Sequence, residues 1–343
     1  MALKAALFDR VEHFTVIGKE VPKIKGNDVL IRVISAGICG SDIHAYLGKH
    51  PFRHPPSILG HEVVGKIIEV GNSVLTFEEG DMVTIEPQIG CGNCNSCIKG
   101  DYNLCEEKVV LGTTEWDGGF AEYVVAKEKS VYKLPKTLTP DLAVLTEPLA
   151  VGVHAVNIAE VKQGDKVAIL GSGPIGLVTA VAAHAKGAET ICLTDAIDKN
   201  LEIGKKLCAT DVVNVRYQSL KEYAAAHIGQ FDHVFLTASY ETIVDDALNV
   251  LKRKGKIISI ALFEEQISID LNRLMISEIQ IYGSSMYVKE DFDMAIDILA
   301  SRKYKLESLI THRYHFDQIN EAMEVALTKN GSPIKVVVDM MKI

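Results

Sequence analysis

The stretch Val167-Ala-Ile-Leu-Gly171-Ser-Gly173-Pro-Ile-Gly176 decides the fold. Its first four residues form an unbroken apolar run, which reads as a strand buried on both faces. Residues 174–186 are apolar over a helical length and open with Pro174, which suits the first turn of a helix. Between strand and helix stands the pattern G-x-G-x-x-G. Glycine is common at any strand-to-helix turn, so the pattern alone says little. Placed after a strand and before a helix, it is the context of a dinucleotide-binding turn. Gly171 allows the tight turn, Gly173 lets a pyrophosphate approach the backbone, and Gly176 lets the helix pack on the sheet. Pro174 and Ile175 complete the turn, where free N–H groups and the helix dipole favour negative charge. Asp195 ends the next strand at about the ~20-residue offset of an acidic group that binds the adenine ribose. Its charge would repel a 2′-phosphate, so NAD is expected over NADP. The other reading of Asp195 is a helix cap, a role open also to Asp198.

Reading downstream, strands at 190–194, 211–215, 231–236 and 256–261 alternate with helices at 199–207 and 242–251. That alternation implies a doubly wound parallel sheet. Upstream, short runs at 29–34, 63–70 and 82–85, each bounded by Gly, Asn or Asp, read as an irregular β-rich domain. A helix at 291–300 is followed by extended segments at 309–316 and 334–340. The expected domains are therefore 1–150, an inserted nucleotide-binding domain 151–288, and a segment 289–343 that rejoins the first.

Composition narrows the classes. The 343 residues are 48% hydrophobic and 24% charged, with a formal net charge of -9, an ordinary balance for a globular protein. No basic surface is expected, which argues against nucleic acid and anionic lipid as partners. Residues 1–10 read as a strand without the apolar stretch of a signal peptide, and the most apolar region, 167–183, is broken by glycines. A cytoplasmic protein without a membrane span is expected.

Four of the seven cysteines, Cys91, Cys94, Cys97 and Cys105, lie in one short Gly/Asn-rich loop. Four thiolates can close the shell of one tetrahedral zinc ion, so this site is expected to be structural; an iron–sulfur centre is the alternative, which a dinucleotide domain does not require. A second set is spread along the chain: Cys39 in Cys39-Gly-Ser41-Asp42-Ile-His44, His61 and Glu62 in Gly60-His-Glu62, and Glu147 before Pro148. One thiolate, one imidazole and one or two carboxylates make a mixed shell with room for substrate, as a catalytic zinc needs. Singly, each has a plain structural reading: a buried thiol, a turn histidine, a helix cap. The combination is what carries the expectation of two zinc ions per chain.

These motifs, together with Gly60-His-Glu-Val-Val-Gly65, Gly119-Phe-Ala-Glu-Tyr123, Glu147-Pro-Leu-Ala150 and Ile310-Thr-His-Arg-Tyr314, resemble the zinc-containing medium-chain dehydrogenase/reductases. Within that family the likeness is to the polyol (sorbitol or iditol) and threonine dehydrogenase branch, and it runs nearly end to end. The resemblance implies a GroES-like β-rich catalytic domain with an inserted Rossmann coenzyme domain. It implies Cys39, His61 and Glu62 as catalytic zinc ligands, with Glu147 holding water on the metal or exchanging as a ligand. Ser41 and His44 correspond to the protein members of the proton relay, which also runs through the nicotinamide ribose. Family members are dimers or tetramers, so a homo-oligomer is expected, with a small-molecule alcohol or ketone as substrate.

The reaction expected is hydride transfer between a secondary alcohol (polyol, sugar alcohol or cyclitol) and NAD. A threonine-type amino alcohol or a diol is the alternative substrate, and an NAD sensor or structural protein the non-enzyme alternative. The complete set of site residues argues against the last. Two positions depart from the commoner pattern: Ala261 stands where relatives often have glycine, and Asn200 where NAD-dependent polyol enzymes often have arginine. His50, Phe52, His54, Trp116, Phe120 and Tyr287 are expected neighbours of a substrate pocket, and 279–282 is a candidate sheet edge for subunit pairing.

Overall fold

The computed structural model describes residues 2–340. The chain forms two compact units, one made of residues up to Glu147 together with those from Leu309 onward, the other of Pro148–Ser308.

In the second unit six parallel strands form one sheet. In chain order they are Lys166–Leu170, Thr190–Asp195, Asp211–Asn214, Phe231–Leu236, Leu251–Ser259 and Gln280–Gly283. Side by side they run third, second, first, fourth, fifth, sixth. Parallel neighbours need crossovers, and the helices Pro174–Ala185, Asp198–Leu207, Leu220–His227 and Ile243–Val250 are among those in the connections. The order reverses between Lys166–Leu170 and Phe231–Leu236, and the carboxyl ends of strands at such a switch point open a ligand crevice. Val167 through Leu170 need no polar alternation because both faces are covered, and all four are buried.

Two differences from the sequence pattern bear on the layout of this unit. The strand expected at 256–261 begins at Leu251, directly after the helix Ile243–Val250, which is shorter than expected. Leu251 is buried and pairs with Phe231, and an irregularity in register before His233 absorbs the charged residues that hide the strand in the sequence. The helix Lys289–Ala300 lies in this unit and not with the C-terminal segment. Its Asp291 accepts hydrogen bonds from His154 Nδ1 at 2.7 Å and Asn157 Nδ2 at 2.6 Å, partners far away in sequence.

The first unit is built on a seven-stranded sheet. Its longest strand, Asp28–Ile38, pairs along one edge with Glu62–Val70. Along the other edge it pairs with Tyr123–Lys127 through its first half and with Lys335–Asp339 through its second. The C-terminal strand thus closes onto the middle of the sheet begun by the N-terminal half. A ribbon of Ala2–Arg10 and His13–Glu20 joins the same core, where Phe14 stacks on Tyr46 at 5.5 Å and meets Phe120 edge-on at 6.2 Å. Offset and edge-on ring contacts of this kind stabilise beyond the area they bury. Among the described residues no helix is long and apolar enough to cross a membrane.

Candidate active site and metal centres

Cys39 ends the longest strand's run and caps the short helix Gly40–Tyr46, with its N–H donating to Asp42 Oδ2 at 3.0 Å. Glu62 opens the neighbouring strand, with His61 directly before it. The pairing of these two strands brings one ligand atom from each of Cys39, His61 and Glu62 within 4.8 Å of one another. Glu147 is buried but stands outside that group, and its charge acts on Lys335 nearby. Ser41 and His44 lie three residues apart on the capped helix, a spacing that shares one face.

Asp42 is fully buried and faces His61 Nδ1 at 3.4 Å, an ion-pair distance without hydrogen-bond alignment. Burial alone would raise the Asp42 carboxyl, but the His61 charge outweighs it, helped by Arg53 and the Cys39 N–H, and holds it down to about 2. For His61 burial disfavours the charged ring, and Asp42 overrides that and lifts it well above the usual histidine range. A carboxylate behind one ring nitrogen is what steadies a histidine that ligates metal through the other. The soft–hard mix of thiolate, imidazole and carboxylate, with Asp42 behind the imidazole, fits a zinc ion here.

Three partners of this cluster are not evident from the motifs. Lys335 Nζ donates to both oxygens of Glu62, at 2.6 and 2.8 Å, and to Ile38 O at 3.3 Å. Burial works against the Lys335 charge, but Glu62, Cys39 and Glu147 raise its pKa above the usual lysine value. Gly37 makes the space: a Cβ there would come within 1.8 Å of Glu62 Oε2. Arg53 is the third, its Nη1 donating to Ser41 Oγ at 3.2 Å. The one available signal for Lys335 was a lone lysine inside the apolar run 334–338.

Of the expected pocket neighbours, Phe120 and Tyr287 are core residues of the first and second units, respectively. His50 is buried beside Arg53, whereas Phe52 is exposed. A cavity of about 650 Å³ is lined by Trp116, Tyr123 and Lys127, but by none of Cys39, Ser41, His61 or Glu62. Donor chemistry, not size, marks the site.

The four loop cysteines also bring their sulfurs within 4.8 Å of one another. Backbone N–H groups point at them: Cys94 to Cys91 Sγ at 3.4 Å, Cys97 to Cys94 Sγ at 3.5 Å and Cys91 to Cys105 Sγ at 3.4 Å. Gly90 is needed because a Cβ there would lie 2.7 Å from Cys97 Sγ. The Cys91 N–H brings the Cys105 thiol down to about 7. The Gly92 N–H favours the Cys97 thiolate too, yet desolvation and the other three sulfurs lift that thiol to about 12. Four sulfurs so close cannot all ionise without a cation between them, which fits a closed zinc shell.

In the second unit Gly171 takes φ +109°, and a Cβ on Gly176 would lie 1.9 Å from Gly171 O. A Cβ on Gly173 would meet nothing within 4 Å, so the start of the helix Pro174–Ala185 is open to a phosphate. Asp195 accepts from Ser172 N at 2.8 Å, Ile197 N at 2.9 Å and Asn200 Nδ2 at 3.2 Å. Asn200 therefore fixes the acidic side chain at the strand end. These features fit a dinucleotide.

Residues 25–136 match the family model of the alcohol dehydrogenase GroES-like domain, and 174–301 that of zinc-binding dehydrogenase. The chain is 36% identical to sorbitol dehydrogenase of Bacillus subtilis, across 98% of this chain and 97% of that protein. It is also 36% identical to L-threonine 3-dehydrogenase of Pyrococcus abyssi, across 93% and 92%. A zinc-binding dehydrogenase structure from Sinorhizobium meliloti, bound to NADP, superposes with a TM-score of 0.93 at 29% identity over 99% of both chains. The chain belongs to the zinc-containing medium-chain dehydrogenases and is an NAD(P)-dependent alcohol dehydrogenase.

Lys335→Met strands a buried carboxylate. Compared by urea titration, both proteins stripped of metal, the variant should lose about 3–5 kcal/mol, and Lys335→Arg much less. A loss under about 1 kcal/mol, the range of an exposed pair, would show that Glu62 does not depend on this partner.

Proposed function

We propose that this enzyme oxidises a secondary alcohol with neighbouring hydroxyls (polyol, sugar alcohol or cyclitol) using NAD, and reduces the matching ketone in reverse. The observation that carries the reading is the convergence of Cys39, His61 and Glu62 beside the helix bearing Ser41 and His44. Cys39, His61 and Glu62 would hold the catalytic zinc, with Glu147 a carboxylate in reserve, and Cys91, Cys94, Cys97 and Cys105 the structural one. When bound, zinc polarises the substrate oxygen and the nicotinamide takes up the hydride.

The residues then have to manage one proton. Ser41 Oγ accepts a hydrogen bond from Arg53, so its own hydrogen is free to be given away. In alcohol oxidation Ser41 takes the substrate's hydroxyl proton as it releases its own towards His44. His44 is half-buried on the same helix and delivers the proton to solvent. Asp195, held by two backbone N–H groups and Asn200, supports NAD over NADP, because a carboxylate there accepts from ribose hydroxyls and repels a 2′-phosphate. Gly171, Gly173, Pro174, Ile175 and Gly176 would cradle the pyrophosphate. The threonine reading stands second, supported by the equal 36% identity to the Pyrococcus enzyme.

A homo-oligomer is supported by the edge strand Gln280–Gly283, where Ile281 and Tyr282 are each 38% exposed, and by exposed Leu271, Met275 and Ile276 on the helix Leu271–Ser277 that precedes it in the chain. An apolar exposed strand edge invites pairing with a second copy. The thiolate-rich metal loop supports the cytoplasm as location, where thiols stay reduced.

Two measurements check this. NADH formation followed by absorbance across polyols, cyclitols, diols and threonine should show one class turned over, lost on chelation and restored by zinc. Ser41→Ala should slow it at least about a hundredfold with zinc content unchanged; chelator-insensitive turnover, or an unslowed variant, contradicts the mechanism. Light scattering should show a dimer or tetramer that Ile281→Asp dissociates, and a monomeric wild type would overturn the oligomer.

A further inference from the structure

Arg53 is a buried charge that, among the described residues, has no carboxylate in ion-pair contact. It lies between the helix Gly40–Tyr46 and the strand Glu62–Val70 and is only 5% exposed. Nη1 donates to Ser41 Oγ at 3.2 Å and Nη2 to Leu111 O at 3.3 Å, both neutral acceptors. Nε is buried without a partner. Asp42 feels the Arg53 charge, but its oxygens are turned to the Cys39 N–H and to His61. Among the described residues Arg53 makes no ion pair with any carboxylate.

His50 sharpens the point. Its Nδ1 accepts from the backbone N–H groups of Phe52 at 3.3 Å and Arg53 at 3.1 Å, so the neutral ring carries its proton on Nε2. Burial first, then the Arg53 charge, pushes the His50 pKa down to about 4, which keeps the ring neutral near pH 7. The protonated Nε2 lies 3.4 Å from Arg53 Nη1. Donor faces donor, with no acceptor between them. Buried donors and an unpaired charge are costly unless a ligand supplies the acceptor and the opposite charge.

We propose that Arg53 and His50 form an oxyanion subsite of the active site, so that the substrate alcohol carries a carboxylate or phosphate close to its reacting carbon. This rests on the dehydrogenase reading above and narrows its substrate class. A guanidinium offers a planar fork of N–H groups matched to two oxygens of one anion. The bond from Nη1 to Ser41 places that fork beside the residue that handles the hydroxyl proton, so anion and alcohol belong to one small molecule. A neutral polyol supplies the acceptors but not the charge. No bond is made or broken at the subsite; it positions and selects.

The test compares three matched probes, a hexitol, the hexonate of the same chain and the hexitol 1-phosphate, in wild type, Arg53→Met and Arg53→Lys. Wild type should favour one or both anions over the hexitol at least about tenfold in kcat/KM, and Arg53→Met should erase that preference. The hexitol should fall by a smaller factor, and Arg53→Lys, which keeps charge and bulk, should retain part of the preference. Whichever anion gains more identifies the group. A hexitol used as well as both anions, or an equal fall for all three in Arg53→Met, overturns the subsite and leaves Arg53 a strut between loops. Calorimetric titration of the same probes separates the two levels of the reading. Arg53-dependent anion binding without oxidation supports the subsite against the dehydrogenase reading; zinc-dependent turnover without Arg53-dependent preference does the reverse.

Discussion

Glu62 is fully buried, and a carboxylate cut off from water is tolerable only beside a cation. Lys335 supplies that cation from 273 residues further along the chain, gripping both oxygens. Much of the first unit's plan follows from this contact. The strand Lys335–Asp339 must return to the sheet, and it does so against Asp28–Ile38. That longest strand must be glycine at position 37, because any side chain would occupy the space of the carboxylate. The same strand leads into Cys39, and its other neighbour opens with Glu62, directly after His61. Charge balance and topology are therefore one constraint: without the returning strand the mixed ligand set would hold an unpaired buried charge.

The two clusters of metal-ligating side chains differ in how they are held. The four-cysteine loop is self-contained, with its sulfurs supported by N–H groups of the loop itself and with Gly90 leaving room for Cys97 Sγ. The mixed cluster is assembled from distant segments and is braced by charges behind it: Asp42 behind His61, Lys335 behind Glu62. In each case neighbouring groups hold the ligand side chains in place, which is how geometry is imposed on a borderline ion such as zinc. Arg53 is the exception. Its hydrogen bonds run to Ser41 Oγ and Leu111 O, both neutral.

What was legible in the sequence was what is local in it. The turn from Gly171 to Gly176 declares itself because strand, glycines and helix are contiguous, and the cysteine loop because all its ligands fall within a few turns of chain. Cys39, His61, Glu62 and Glu147 could be picked as chemical types, but only the fold shows that the first three bring ligand atoms within 4.8 Å of one another while Glu147 stands outside. Lys335 sits in a run of buried strand residues and carries no motif. The helix Lys289–Ala300 joins the second unit, where its Asp291 bonds side chains more than a hundred residues away, a link that local periodicity does not encode. The strand starting at Leu251 is hidden for a related reason: three successive basic residues, Lys252 to Lys254, mimic a loop while a shift in pairing carries them. His50 was visible as a neighbour, but the opposition of its Nε2 to Arg53 depends on which nitrogen the backbone already occupies.

The central claim is that Cys39, His61 and Glu62 form a catalytic zinc site separate from the four-cysteine site. Anomalous diffraction at the zinc absorption edge, on crystals of zinc-replete protein, tests it directly. The account predicts two peaks per chain, one among Cys91, Cys94, Cys97 and Cys105 and one bounded by Cys39, His61 and Glu62. A single peak in the cysteine loop, with the mixed cluster empty at saturating zinc, would contradict it.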